Sequence, residues 1–204
     1  SLSAKKRKAN SKKQQEYLNK KWRNSCLNDT YEPGSVFKIV TATAGLESSK
    51  VSVNDHFNCP GFRIVEDRKI RCHKVGGHGS ETFKEGVMNS CNPVFMDVGA
   101  RVGVDGMYQT FRQLGLFEKT GIDLDGEAKG VLPTKEWKAK RFAGKRYKPE
   151  HRRWMPADVV PIGIGQGYNT YTPLQMAWAT AILANNGVAY RPHIVKKVVS
   201  PANR

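Results

Sequence analysis

Tyr31-Glu-Pro-Gly-Ser-Val-Phe-Lys38, continued from Ile39 to Glu47, decides how this chain is read. Pro33-Gly34 breaks the preceding segment. Ser35 then opens a run in which Val36, Phe37, Ile39, Val40, Ala42, Ala44 and Leu46 are apolar, so a helix is expected to begin at the serine. A serine hydroxyl is almost wholly protonated at neutral pH and attacks a carbonyl only with a base beside it. Three residues apart at a helix start, Ser35 and Lys38 share a face. Apolar neighbours around the amine lower its pKa towards that of a working base. The spacing alone is not specific: Ser3-Ala-Lys-Lys6 repeats it in a basic tail, and a surface lysine behind a helix cap has the same letters.

The second piece is Ser90-Cys91-Asn92. Upstream, Thr82 and Glu85 are spaced as a capping box, and downstream Pro93 opens a helix running to Val102. The tripeptide therefore falls between two helices, where short polar side chains project into a cleft. Ser52-Val-Asn54 has the same letters, and such residues are common caps. Order separates the candidates: Ser-x-x-Lys opening a helix, then Ser-x-Asn between helices some 50 residues on, is the set found in serine enzymes that react with penicillin. Further along, Thr172-Pro-Leu-Gln175 is the strongest helix start, with its stop at Asn186-Gly187. Phe62–Val65 and Lys69–Cys72 read as a hairpin about Glu66-Asp67-Arg68, and Ile194–Val199 as a strand.

The chain has 204 residues, 39% of them hydrophobic, which is enough for a packed core. No apolar run approaches the roughly 18 residues of a membrane span, and the N-terminus lacks the apolar stretch of a signal peptide. The net charge of +16 is localised. Residues 1–23 carry nine Lys/Arg against Glu16, and residues 135–153 carry nine against Glu136 and Glu150. The remainder is near neutral. Residues 1–27 are expected to be a basic, weakly ordered segment, 28–199 the folded domain with a basic loop at 135–158, and 200–204 a tail.

The nucleophile segment, together with Gly76-Gly-His-Gly79, Ser90-Cys-Asn-Pro-Val-Phe95, Lys119-Thr-Gly-Ile-Asp-Leu124, Pro161-Ile-Gly-Ile-Gly-Gln-Gly167 and Thr172-Pro-Leu-Gln-Met176, closely resembles class B penicillin-binding proteins. Pro133-Thr-Lys-Glu-Trp137 and its lysine-rich sequel resemble the cell-elongation branch. The resemblance covers residues 28–199 in order and implies an α+β fold: the mostly helical part of the β-lactamase/transpeptidase-like fold, with its five-stranded antiparallel sheet largely missing. It implies a peptidoglycan D,D-transpeptidase at the outer face of the cell membrane, with Ser35 as nucleophile acylated by D-Ala-D-Ala stem peptides or β-lactams. Lys38 is then the proton acceptor, Ser90 the relay to the leaving D-alanine, and Asn92 the holder of the donor peptide's amide. Cell-wall elongation or division proteins are the implied partners, and the acylation needs no cofactor.

Departures from the family temper this reading. The third motif, Lys-Thr/Ser-Gly on a strand, belongs after the Gly-Gln-Gly segment, whereas Lys119-Thr120-Gly121 precedes it and is rejected. The chain thus reads as an interior fragment or a degenerate copy. A non-catalytic module stays open as an alternative, and a serine β-lactamase-like hydrolase as a lesser one. Cys59 and Cys72 are placed to form a disulfide across the hairpin, or to bind zinc with Asp55, His56, His73 or His78 nearby. Some clostridial members that this stretch resembles carry zinc near the active site, which favours Cys59, Cys72 and His78 with Asp55 as the fourth ligand. Cys26 and Cys91 are set aside as free thiols. The basic segment 135–153 interleaves Trp137, Phe142 and Tyr147, with Trp154 just beyond, as a single-strand nucleic-acid groove does. The family's lysine-rich excursion there favours a solvated loop, and anionic lipid or cell-wall polymer over nucleic acid.

Overall fold

The computed structural model describes the backbone of residues 2–200, and the side chains from residue 10 onwards except 19 and 20. The elements run α1 (Leu2–Trp22), α2 (Ser25–Asn28), a 3₁₀ turn (Gly34–Phe37) and α3 (Lys38–Glu47). Four short strands follow: β1 (His56–Cys59), β2 (Phe62–Val65), β3 (Arg68–Arg71) and β4 (Gly79–Thr82). Then come α4 (Phe83–Met88), α5 (Asn92–Gln113), α6 (Lys135–Arg141), α7 (Val159–Ile162) and α8 (Pro173–Ala184). β1 pairs antiparallel with β4, and β2 with β3, as two separate two-stranded sheets.

The core lies where α3 packs along α5 and α5 against α7. Phe37, Val40 and Ala44 meet Val94, Phe95, Val98, Met107 and Phe111, all buried. Phe37 is the pivot, edge-on to Phe111 at 5.2 Å and stacked on Tyr171 at 5.6 Å between ring centroids. Full burial of side chains of this size removes roughly 1.5–3 kcal/mol of unfavourable hydration each, so the nucleophile turn is anchored by the apolar residue inside it. α5 bends at Gly103, whose backbone leaves the helical region, close to the expected end at Val102.

The capping boxes at Thr82/Glu85 and Thr172/Gln175 are both formed, and α8 stops at Asn185. The hairpin forms with its turn at Glu66-Asp67, so its second strand begins one residue earlier than expected. Residues 2–22 form a helix whose described side chains are exposed. Ile194–Val199 is not a strand: the Ile194 and Val195 amides donate to the Asp123 carboxylate instead of to a neighbouring strand. The tail expected at 200–204 lies, from 201 on, outside the described residues.

The basic segment is more structured than a solvated loop. Eight of its nine Lys/Arg are exposed, but Lys138 turns inward from α6 to the Asp158 carboxylate at 2.6 Å. Phe142 packs edge-on to Tyr147 and Tyr168, and Trp137 lies against Tyr168. These rings pack on one another.

Candidate active site

Ser35 sits in the 3₁₀ turn and Lys38 is the first residue of α3, its amide donating to the Ser35 carbonyl. In a 3₁₀ turn residues three apart lie above one another, so the backbone brings Ser35 and Lys38 to the same side of the chain. The turn is fastened to the Gly-Gln-Gly segment. Gly34 N–H donates to Gly165 O at 2.8 Å, Tyr31 and Tyr171 exchange backbone bonds at 2.9 and 3.0 Å, and Thr41 Oγ1 donates to Gly163 O at 2.9 Å. Gly165 has φ +72°, and a Cβ there would lie 2.1 Å from Gly34 O. Gly165→Ala is therefore expected to cost roughly 2–4 kcal/mol and to displace Ser35. Thermal melting and penicillin-labelling rates check this, and an unchanged pair of values contradicts it.

Lys38 is buried although it is a lysine. Its Nζ donates to Ser90 O at 2.6 Å and Asn92 Oδ1 at 2.7 Å, and lies 3.0 Å from Ser90 Oγ. Asn92 Nδ2 donates to Arg71 O at 2.9 Å, which fixes the orientation of its amide. Burial lowers the Lys38 pKa below its ordinary 10.5, with the Cys72 and Cys91 sulfurs acting weakly in the opposite sense. The geometry has a direct chemical reading. Two of the three neighbours are obligate acceptors, satisfied by two N–H groups, while the third is a hydroxyl that can donate. A neutral amine satisfies both acceptors with its two N–H groups, and its one lone pair takes up a proton when the Ser90 hydroxyl turns away from it. Ser35 is exposed, and among the described residues its hydroxyl has no hydrogen bond.

Ser90 lies between α4 and α5, as its sequence context predicts, in a left-handed conformation with φ +48°. Its N–H donates to Val87 O, and Cys91 N–H donates to Gly86 O at 2.9 Å. This tight turn aims the Ser90 carbonyl and hydroxyl at one amine. Lys119-Thr120-Gly121 is used differently: the Thr120 and Gly121 amides donate to Glu127 at 2.7 and 3.2 Å, a structural cage around a carboxylate.

Behind the Ser-x-Asn turn, the ligand atoms of Cys59, Cys72, His78 and Cys91 all lie within 4.8 Å of one another. Cys59 ends β1, Cys72 follows β3, and Cys91 sits between Ser90 and Asn92. The loop carrying His78 closes over β1 at Gly77, where a Cβ would come within 2.0 Å of Cys59 O. Asp55 is elsewhere: its carboxylate accepts from Ser52 Oγ at 2.8 Å and pairs with Arg101 at 3.4 Å. The fourth side chain of the cluster is Cys91, which is buried and reads in the sequence as a core thiol. Counting soft donors would have found it, since three cysteines and one histidine make an ordinary zinc set. All four cysteines of the chain are unbridged. Burial opposes ionisation of Cys72, but the Lys74 and Asn92 amides pointing at its sulfur bring its pKa down, as suits a metal-bound thiolate. Burial pushes the Cys91 thiol up, as does the neighbouring Glu81.

The family profile described as penicillin binding protein transpeptidase domain matches residues 1–204. Stage V sporulation protein D of Bacillus subtilis is 37% identical over 183 residues, covering 89% of this chain and 26% of that protein. Peptidoglycan D,D-transpeptidase MrdA of Escherichia coli K12 is 34% identical over 174 residues, covering 84% and 26%. The chain spans about a quarter of the length of these relatives. Among solved structures, Pseudomonas aeruginosa PBP2 in complex with WCK 5153 superposes with a TM-score of 0.77 at 32% identity, over 88% of this chain and 40% of that one. PBP2 of Helicobacter pylori in complex with MreC gives 0.76 at 31%, over 88% and 32%. The chain belongs to the penicillin-binding protein transpeptidase family.

Proposed function

We propose that this chain carries the nucleophile, base and second polar motif of a peptidoglycan D,D-transpeptidase working at the outer face of the cell membrane. The observation that carries the proposal is the buried Lys38 amine, held at 2.6–3.0 Å by Ser90 and Asn92 directly behind the Ser35 turn. The neutral amine takes the Ser35 proton as Oγ bonds to the carbonyl carbon of the penultimate D-alanine. The C–N bond to the terminal D-alanine then breaks, and the leaving nitrogen receives a proton through the Ser90 hydroxyl. Asn92 holds the donor peptide by its amide. An acceptor amine attacks the ester in the second half-reaction and regenerates Ser35. A β-lactam enters the same first step, but its leaving nitrogen stays tethered and the ester persists.

Intact-mass measurement after prolonged incubation with benzylpenicillin is expected to show one adduct, mapping to the peptide that contains Ser35. Ser35→Ala should show none. An adduct on another residue, or no adduct on the unaltered chain, removes the proposal.

The same reading includes a structural zinc ion held by Cys59, Cys72, His78 and Cys91. Support comes from the donor set and its closeness, and from backbone amides aimed at a thiolate. Bound there, the ion would neutralise thiolates and tie the β1 and β3 ends to the start of α5. Elemental analysis of reduced protein should find one zinc per chain, and a metal-free result removes this part. The exposed basic face of residues 135–153 suits anionic lipid or cell-wall polymer. An elongation-type partner such as the MreC bound to the Helicobacter protein belongs to the same proposal.

A further inference from the structure

Glu81 lies on β4 opposite Phe57 of β1, at the inward position of the strand, where alternation calls for an apolar side chain. It is only 3% exposed. One carboxylate oxygen, Oε2, accepts from Asn89 Nδ2 at 3.0 Å. The other, Oε1, is buried with no hydrogen-bond partner, the one carboxylate oxygen among the described residues in that condition. Other acids in comparable positions are matched: Asp97 by Arg63, Asp158 by Lys138, Glu127 by two backbone amides. A buried carboxylate with a single neutral donor is costly and calls for a positive charge or further donors. Among the described residues no Lys or Arg supplies either. Oε1 faces His78, with Nδ1 at 3.8 Å, an atom that also lies 3.7 Å from Cys72 Sγ, and the carboxylate neighbours the Cys91 thiol. All three residues belong to the cluster of four ligand side chains.

We infer that Glu81 is a positioning residue for the metal centre, its unpartnered oxygen orienting His78 for ligation. This rests on the zinc reading given above. A ligating imidazole commits one nitrogen to the metal and presents the other N–H to a carboxylate, which sets its tautomer and tilt.

The test uses the full chain, reduced, in wild-type, Glu81→Gln and Asn89→Ala forms. Zinc affinity is read by competition with a chromophoric chelator, ligand geometry by the visible bands of cobalt(II) added in place of zinc, and stability by melting with and without metal. Glu81→Gln should weaken zinc binding about 10- to 100-fold and shift the cobalt bands. Its metal-free form should melt at or above the metal-free wild type, because the uncompensated charge is gone. That opposition of signs distinguishes positioning of the metal from a role in the fold alone. Asn89→Ala keeps the carboxylate but frees one end, and should weaken zinc less; it decides the matter if Glu81→Gln does not fold. Zinc affinity within twofold of wild type in these variants overturns the inference while leaving the metal site standing. A wild type that takes up neither zinc nor cobalt overturns both.

Discussion

Lys38→Met should slow acylation of Ser35 by penicillin about 10²- to 10⁴-fold, the usual contribution of a positioned general base. Methionine fills nearly the same volume, so the loss reports the amine and not a cavity. Two acceptors, Ser90 O and Asn92 Oδ1, lose their donor at 2.6 and 2.7 Å, and an unsatisfied buried acceptor costs about 1–3 kcal/mol. The pH arm separates base from scaffold. With its pKa held below 10.5 by burial, the wild-type amine loses its proton at a lower pH in the folded than in the unfolded chain. Between those two pKa values the unfolded state binds more protons, so this group's contribution to stability rises with pH across that interval and is complete above 10.5. The acylation rate should climb over the lower part of the same range as the neutral amine accumulates. In Lys38→Met both dependences disappear. Acylation within tenfold of wild type, measured by time-resolved mass spectrometry, assigns the base elsewhere.

Cys91→Ala carries the second large effect, because one residue serves two structures. Free zinc at 1,000 times its dissociation constant stabilises a protein by about 4 kcal/mol, which in a chain of this size is about 8–16 °C of melting temperature. The variant is expected to lose stoichiometric zinc and a shift of that order. Acylation should slow as well, since Cys91 stands between Ser90 and Asn92 and its removal loosens their hold on Lys38. Chelator added to wild type should reproduce the shift in melting temperature, and chelator added to the variant should do nothing. Equal melting of the two proteins in excess zinc contradicts the assignment.

Local signals were legible where one residue type solves one geometric problem. Thr172 and Gln175 close a capping box because hydroxyl and amide reach orphan donors at that spacing, and Ser90 falls between helices because Thr82 and Pro93 fix a boundary on either side. Readings failed where the outcome depends on a distant partner. Ile194 and Val195 have strand letters, but their amides find Asp123. Lys138 sits in a charge run that reads as solvated, yet Asp158 draws it inside, a pairing no local pattern encodes. Asp55 lies close to Cys59 along the chain, but Arg101 and Ser52 claim it, and Cys91, reached only through the fold, joins the cluster in its stead. The lysine and Ser-x-Asn pieces were readable as letters; their convergence on one amine was not, because it requires α3 and α5 to pack.

The Asn92 side chain, gripped from both ends, has a consequence for recognition. One hydrogen of its amide goes to Arg71 O and one lone pair to Lys38, which leaves a single hydrogen and a single lone pair unspent. Those are the complements of a peptide linkage's carbonyl and N–H. On the function proposed above, an incoming chain would meet a side chain whose rotamer entropy was surrendered during folding, and docking would not have to supply it again.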